Sequence, residues 1–231
     1  MGGESVFEKK HVEPNAMGDV EGLLEHFNLP PAVISYIRRN KRMIQVVIVV
    51  VLTTVVALAL YDSYRQKRIE EATSALTTAL QQAGDDKEKA LGTVTTEFAG
   101  TASARWAEVE LAHLAMGDSK FKEAAEQYHR IRSDLDRSDP LYALTIFGLA
   151  QAKEAGHEYD EASAAYQELK DIDGYQAIGY TGIARILESQ GKTDKAIETL
   201  TTYLSTLADK TSADPKKKVI EDKIARLKVK Q

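Results

Sequence analysis

An uncharged run of 19 residues constrains this chain more than any other feature of its sequence. It extends from Met43 to Tyr61 and reads MIQVVIVVVLTTVVALALY. A helix of this length spans ~28 Å, close to the ~30 Å hydrocarbon core of a bilayer. A segment that is apolar on every face is also poorly suited to a thin domain of helices, where one face must meet water. The sequence therefore predicts a single transmembrane helix over residues 43–61.

Basic residues immediately before this run predict its orientation. They are Arg38, Arg39, Lys41 and Arg42. Because positive flanks stay on the cytoplasmic side, we expect the N-terminus in the cytoplasm and the long C-terminal part across the membrane. Basic residues also follow the run, but they belong to the start of a long domain. Charges in long domains have little influence on membrane orientation. The chain has no cysteine, which fits an oxidising envelope compartment. These observations predict a bacterial inner-membrane protein with a periplasmic domain.

A cleaved signal peptide is the alternative to a retained anchor. The tripeptide Ala57-Leu58-Ala59 has the small-x-small pattern of a cleavage site. However, it lies inside the apolar run, and a charged leader of 42 residues is far longer than that of a signal peptide. The retained anchor is therefore the favoured interpretation.

Residues 1–42 form a predicted cytoplasmic tail with balanced charge and an amphipathic helix. The helix is predicted by four apolar residues at helical spacing: Val20, Leu23, Leu24 and Phe27. Pro31 can start a second helix, and the absence of glycine and proline from Ala32 to Ala83 predicts a nearly continuous helix thereafter. The tail helix could lie on the inner membrane surface or dock a cytoplasmic partner.

The rest of the chain repeats one scheme four times. A helical run ends in a glycine turn, and a second run follows with an alanine near its start. The glycines are Gly84, Gly117, Gly156 and Gly191, and the alanines are Ala90, Ala124, Ala162 and Ala196. Glycine accepts a left-handed backbone without steric cost, and a small alanine lets two antiparallel helices cross closely. We therefore expect four degenerate hairpins over residues 62–213, with Ala162 and Ala196 buried. Residues 214–231 are predicted to form a capping helix.

No pattern in the sequence indicates catalysis or metal binding. The five histidines are scattered and lack metal-ligand spacing: His11, His26, His113, His129 and His157. No phosphate-binding or dinucleotide-binding glycine motif occurs, and no basic patch is interleaved with aromatic residues. With a net charge of −5, the chain is not expected to bind nucleic acid. We expect neither an enzyme nor a cofactor or small-molecule substrate.

The hairpin pattern resembles the tetratricopeptide family. The clearest unit carries its consensus residues in order: Tyr180, Ile183, Ala184, Leu187, Gly191, Ala196, Leu200 and Tyr203. In an earlier unit, Trp106 takes the aromatic position, which would place Glu110 at the small position. The resemblance implies an all-α solenoid that binds a peptide in a groove lined by the first helix of each hairpin. Carried over unit by unit, the groove residues are Tyr142, Thr145, Leu149, Ile178, Thr181 and Arg185.

Three of these groove assignments have a plainer structural interpretation. Tyr142 and Leu149 could pack against the neighbouring hairpin, and Arg185 could form an ion pair with Glu188. A guanidinium in a groove, however, can also clamp a carbonyl or a carboxylate of a partner.

The layout over residues 40–205 is also similar to the membrane-anchored ancillary subunit family of the SecYEG translocon (YfgM-like). The similarity rests on the basic tail, the single span and the stretch TEFAGTASARWAEVELAHLAMGD. It implies an accessory or scaffold role in protein export, with SecYEG, a membrane-anchored periplasmic chaperone or emerging chains as partners. An assembly adaptor for another envelope complex and a tethered regulatory module remain alternatives.

Overall fold

The computed structural model describes residues 31–207 and 215–229, and every regular element within these ranges is an α-helix. This confirms the predicted all-α fold class. The packing of Cα atoms divides the chain into two units, residues 1–64 and 65–231. The helices are α1 (Pro31–Arg39), α2 (Lys41–Leu80), α3 (Gly84–Glu97), α4 (Ala102–Gly117), α5 (Phe121–Ser133), α6 (Pro140–Ala155), α7 (Tyr159–Lys170), α8 (Gln176–Ser189), α9 (Thr193–Thr206) and α10 (Pro215–Val229).

The first unit contains α1 and the first part of α2. Helix α1 begins at Pro31, as predicted, whereas the predicted tail helix of residues 19–27 lies outside the described residues. A turn at Asn40 separates α1 from α2, but helical hydrogen bonds continue through it: the Asn40 amide donates to the Tyr36 carbonyl at 3.0 Å, and Ile44 donates to Asn40 at 3.0 Å. The expected continuous helix is therefore interrupted at one residue and ends at Leu80.

Helix α2 contains the uncharged run. It is long and apolar enough to cross a membrane, and its most apolar stretch is not buried within the protein. The two polar side chains at its centre, Thr53 and Thr54, donate their hydroxyl hydrogens to the carbonyls of Val49 and Val50, each at 2.8 Å. These bonds satisfy both hydroxyls within the helix, so that they do not need solvent. Membrane insertion itself stays a prediction.

In the second unit, successive helices pack as antiparallel neighbours from α3 to α10. The C-terminal part of α2 joins the first of these layers, because Ala79 is buried with Leu91 and Val94 of α3 and Ala107 of α4. A central core extends from α4 to α8, and a second core joins α8, α9 and α10. Helix α10 contributes Ile220, Ile224 and Leu227 to that second core, as a terminal capping helix would.

The turns within the hairpins use glycine less uniformly than the sequence suggests. Gly84 and Gly191 adopt the left-handed backbone, with φ of +58° and +69°. Gly117 and Gly156 do not: Ser119 (φ 61°) and His157 (φ 62°) take the left-handed position in their turns. The expectation for these two glycines is therefore wrong, because the left-handed residue comes one or two positions later along the chain.

Buried alanines set the register of the repeats. Ala124, Ala162 and Ala196 are fully buried in the second helices of their hairpins, which confirms the predicted burial of Ala162 and Ala196. Twelve residues before each of them stands another fully buried alanine, namely Ala112, Ala150 and Ala184. Equivalent positions are thus 38 residues apart between the second and third hairpins and 34 between the third and fourth. Ala112, not Glu110, occupies the small position in the second hairpin.

A tyrosine beneath a glycine joins consecutive hairpins. The ring of Tyr128 on α5 packs against Gly148 of α6, and a Cβ added to this glycine would lie 2.5 Å from the ring. Tyr166 of α7 passes under Gly182 of α8, where the distance would be 2.4 Å. Both tyrosines are fully buried. Glycine is required at both positions because any side chain would occupy the space of the ring.

Candidate functional site

One face of α4, α6 and α8 forms the candidate binding surface. At one of the corresponding positions on α4, Val109 is fully buried and is not part of the surface. In the register of the alanines, the members are Trp106, His113 and Met116 on α4, Leu144, Phe147, Gln151 and Glu154 on α6, and Ile178, Thr181, Arg185 and Glu188 on α8. We call this set the A-face. A depression of about 390 Å³ is lined by Met116, Gln151, Glu154 and Arg185, among others. The three helices therefore border one surface.

The predicted groove residues of α8 lie on the A-face. Ile178 and Thr181 are partly buried, and Arg185 is exposed. The Thr181 hydroxyl donates to the Ala177 carbonyl at 2.7 Å, so its methyl group and not its hydroxyl hydrogen is the group left for a partner. Their role in binding stays a prediction.

The predicted groove residues of α6 lie on the opposite side of that helix. Tyr142, Thr145 and Leu149 are 9%, 0% and 8% exposed. In the register in which Ala150 and not Gly148 corresponds to Ala184, they stand two residues away from the equivalents of Ile178, Thr181 and Arg185. Leu149 lines a depression of about 750 Å³ between α5, α6 and α7, and the role of these three residues in binding stays a prediction. The spacing of 34 residues assigns Leu144, Phe147 and Gln151 to the positions held by Ile178, Thr181 and Arg185 on α8.

Arg185 forms a hydrogen-bonded cluster with Glu154 and the buried Tyr166. Its Nε donates to Glu154 Oε1 at 2.5 Å, and its Nη2 donates to Glu154 Oε2 at 2.6 Å and to the Tyr166 hydroxyl oxygen at 2.7 Å. The Tyr166 hydroxyl donates to Glu154 Oε2 at 2.8 Å. The ion pair is thus bidentate and joins Arg185 to Glu154 of the preceding hairpin, where the sequence suggested Glu188.

These contacts determine the protonation of Glu154. Burial alone would raise the pKa of its carboxyl, but the hydrogen bonds from Arg185 and Tyr166 outweigh burial and lower it. The same hydrogen bond to Glu154 raises the pKa of Arg185 above its ordinary value. The cluster is therefore an ionised pair near neutral pH, and its charges compensate each other.

A similar cluster joins the second and third hairpins at the other end of the helices. Arg132 Nη2 donates to Glu168 Oε2 at 2.6 Å, and the Tyr142 hydroxyl donates to Glu168 Oε1 at 2.7 Å. The Arg132 guanidinium also lies 5.9 Å from the centre of the Tyr142 ring. Tyr142 is thus a structural residue that helps to hold α5, α6 and α7 together.

Tyr128, the counterpart of Tyr166, lacks such partners. The positions that correspond to Glu154 and Arg185 are Met116 and Gln151. Within the described part of the chain the buried Tyr128 hydroxyl has no hydrogen-bond partner, and burial raises its pKa. Its ring meets the edge of His113, with the centroids 5.8 Å apart.

The predicted anchor flank lies at the boundary between α1 and α2. Arg38 and Arg39 are the last two residues of α1, and Lys41 and Arg42 are the first two of α2. The side chains of Arg39, Lys41 and Arg42 are exposed. Across residues 31–207 and 215–229, no three histidine or acidic side chains are grouped so that they could hold a metal ion.

Sequence reasoning missed most of the A-face. It did not single out Leu144, Phe147, Gln151 or Glu154, and it assigned Trp106 only to a consensus packing position. The signal that would have found them is the constant separation of twelve residues between paired alanines, such as Ala150 and Ala162.

Comparisons with known proteins agree with this architecture. A family model described as a tetratricopeptide repeat-like domain matches residues 35–171, more than half of the chain. The nearly identical tetratricopeptide-like repeats of a protein named as a kinesin light chain, from Podosopora anserina, are similar in structure: the TM-score is 0.52 at 18% identity, over 71% of this chain and 85% of that one. A Q17M form of those repeats gives 0.51 at 20% identity over the same shares. No curated protein matches. The chain belongs to the tetratricopeptide repeat-like domain family.

Proposed function

We propose that the chain is a single-pass membrane protein whose repeat domain binds protein partners through the A-face. The observation that carries the proposal is the extent of α2: one helix contains both the apolar run and Ala79, which is buried in the repeat core. The family match supports it, because residues 35–171 include the apolar run as well as α3 to α7. In this proposal the anchor and the repeats act together as one functional unit.

The specific role that we propose is an accessory subunit or scaffold of the Sec protein-export machinery in a bacterial inner membrane. The N-terminus would be cytoplasmic and the repeats periplasmic, where they would contact SecYEG, a membrane-anchored chaperone or emerging chains. The support is the basic flank at residues 38–42 and the similarity of residues 40–205 to the ancillary translocon family. An assembly adaptor for another envelope complex, or a tethered regulatory module, would use the same architecture with different partners.

Reporter fusions test the anchor and its orientation. Alkaline phosphatase fused after Gln231 should be active, because the enzyme folds only outside the cytoplasm. The matched control is the same enzyme fused after Arg42, ahead of the apolar run, which should be inactive. Activity of a cytoplasmic reporter alone at Gln231, or release of the repeat domain from the membrane, would contradict a retained anchor with this orientation.

Site-specific crosslinking tests the partner and the surface. A photoreactive residue at position 151, 181 or 185 should crosslink to translocon or chaperone subunits in membranes that are active in export. Position 195, an exposed lysine on α9, is the matched control and should not. Crosslinks from the A-face to a different envelope complex would favour the adaptor, and crosslinks from position 195 alone would exclude the A-face.

A further inference from the structure

The boundary between α1 and α2 carries a cluster of positive charge. Four basic residues stand within a stretch of five: Arg38, Arg39, Lys41 and Arg42. No acidic residue occurs in residues 31–61, and the next one, Asp62, comes 20 positions after Arg42. Along a helix this separation is ~30 Å. Neither α1 nor the apolar run therefore supplies a counterion to the basic side chains.

The basic and the apolar residues of this boundary lie on opposite faces of one helical path. Helical hydrogen bonds continue through Asn40, so successive residues are rotated by ~100° across both helices. The four basic positions then fall in a sector of about 160°, which we call the basic face. The opposite sector of about 120°, the apolar face, holds five apolar positions: Val33, Tyr36, Ile37, Met43 and Ile44. Val33, Tyr36 and Met43 are 41%, 59% and 54% exposed, so a surrounding apolar medium can contact them.

The apolar face lengthens the hydrophobic part of the helix on one side only. On that face, apolar residues continue from Tyr61 back to Val33, a distance of ~42 Å, whereas on the basic face they end at Met43. Asn40 interrupts the apolar face, but its side-chain amide donates to the Tyr36 carbonyl at 3.2 Å. Long basic side chains extend toward lipid phosphates while the other face of such a helix contacts acyl chains. The boundary between α1 and α2 therefore fits the headgroup layer of a bilayer.

The other end of the apolar run has a different charge pattern. Residues 62–71 contain three basic and three acidic residues. Lys67 forms an ion pair of 3.7 Å with a glutamate one turn later on the same helix. Arg68 donates to the backbone carbonyls of Glu97 and Ala99, each at 3.3 Å. Of the two flanks, only the side of α1 carries a net positive charge.

We propose that the basic face binds anionic phospholipids through their headgroup phosphates. This inference rests on the membrane anchor of the proposed function and adds a lipid preference at one surface of the membrane. A guanidinium binds phosphate oxygens through paired hydrogen bonds, so Arg39 and Arg42 each hold one phosphate and Lys41 adds a further positive charge. Positive charge alone attracts any anion, but the apolar face restricts the site to anions that carry acyl chains.

Lipid binding to the full chain in non-ionic detergent micelles tests the proposal. Native mass spectrometry measures the affinity for phosphatidylglycerol and for phosphatidylcholine with the same acyl chains. We expect a preference for phosphatidylglycerol. The double variant Arg39→Gln with Lys41→Gln should bind it about 25-fold more weakly, because each basic residue near a membrane surface contributes about fivefold.

The two flanks provide a matched control. Arg65→Gln with Lys67→Gln removes the same residue types, at the same spacing, from exposed positions at the other end of the run. Both double variants have the same net charge. The control should leave the affinity for phosphatidylglycerol unchanged.

Spin labels test the two faces without removing a charge. The chain has no cysteine, so a nitroxide can be attached to Ser35→Cys or to Tyr36→Cys alone. These neighbours have nearly the same position along the helix, but residue 35 lies on the basic face and residue 36 on the apolar face. In nanodiscs that contain phosphatidylglycerol, the label at position 36 should be more accessible to oxygen, which dissolves among acyl chains. The label at position 35 should be more accessible to a water-soluble nickel chelate.

Equal affinity for the two lipids, or equal weakening by the two double variants, would overturn the proposal. Displacement of the lipid by inorganic phosphate at equal concentration would identify a site for free anions. Tighter binding of a hexaglutamate peptide would identify an acidic protein segment as the occupant. Equal oxygen accessibility at positions 35 and 36 would refute the separation into two faces.

These measurements do not depend on the orientation of the chain, so they can fail independently of the proposed function. An inactive phosphatase fusion at Gln231 together with intact lipid preference would contradict the proposed topology and leave the lipid site. An active fusion without lipid preference would do the reverse.

Discussion

The junction between the second and third hairpins and the junction between the third and fourth use the same packing with different polar chemistry. In both, a fully buried tyrosine lies under a glycine: Tyr128 under Gly148, and Tyr166 under Gly182. At the later junction the hydroxyl is bonded to Glu154 and Arg185. At the earlier one the hydroxyl has no partner among the residues that the structure describes.

This difference separates two contributions to repeat stacking. Steric fit of the ring requires glycine at both junctions and is independent of the hydroxyl. The buried tyrosine hydroxyl stabilises only the later junction, because a buried hydroxyl without a partner opposes folding. The polar contacts of the earlier junction lie at the other end of the helices, where Arg132 donates to Glu168. The repeats therefore share a packing solution while their individual stabilities differ.

The largest expected effect comes from removing the steric fit. Gly182→Ala and Gly148→Ala each place a Cβ within 2.5 Å of a buried tyrosine ring, which should lower the free energy of unfolding by up to ~3 kcal/mol. Chemical denaturation of the full chain in detergent, followed by circular dichroism, measures the change. Gly92→Ala is the matched control: no atom lies within 4 Å of its added Cβ, so the helix should gain ~0.5–1 kcal/mol. Similar unfolding midpoints for all three variants would refute the steric argument.

Removing the hydroxyls should distinguish the two junctions directly. Tyr166→Phe breaks hydrogen bonds to a charged pair and should cost about 1.5 kcal/mol. Tyr128→Phe removes a hydroxyl without a partner and should be neutral or stabilise by up to ~1 kcal/mol. The two variants lose the same atom, so each is the control for the other in denaturant unfolding. Equal losses would show that Tyr128 has a hydrogen-bond partner in solution.

A smaller effect concerns pH. The pKa of Glu154 is lowered in the folded chain, so its stabilising contribution is present above the unfolded value of about 4.3 and is lost as the pH falls through the folded pKa. Glu154→Gln should therefore cost ~0.5–1 kcal/mol near pH 7 and make stability less dependent on pH in the acid range.

Glu108 on α4 is the matched control, because its pKa is shifted in the opposite direction from that of Glu154. Burial, together with the charge of Asp134, raises its pKa. Its ionisation therefore opposes folding as the pH rises above about 4.3, and Glu108→Gln should be neutral or stabilising near pH 7. Unfolding midpoints of both variants at several pH values give the comparison, and a parallel response of the two would disprove the assigned signs.

The fold could be predicted from local patterns, whereas the site required contacts between hairpins. Alanine and glycine spacing predicts helices, crossings and the burial of Ala162 and Ala196, because helical periodicity acts over a few residues. The same reasoning aligned Gly148 with Ala184, whereas the alanine register aligns Ala150 with it, since both residues are small and only packing distinguishes them. The partner of Arg185 is 31 residues distant, and no local pattern relates Glu154 to it.

The orphaned hydroxyl of Tyr128 was equally inaccessible to sequence reasoning. The pattern predicts an apolar or aromatic residue at this position of each hairpin, as Val94, Tyr166 and Leu200 show. Whether its hydroxyl is bonded depends on Met116 and Gln151, which come from two other helices.

The unequal repeat spacing has a consequence for engineering the chain. The extra four residues of the 38-residue interval lie between Ala124 and Ala150, across the end of α5, the following loop and the first turn of α6. Within this loop Arg137 and Ser138 are exposed, they follow the buried Leu135, and they precede Asp139, whose carboxylate accepts the Leu141 amide at 2.9 Å and caps α6. The repeats already tolerate a longer connection here, so we expect the bond between Arg137 and Ser138 to accept an inserted affinity tag or fluorophore without loss of the repeat fold.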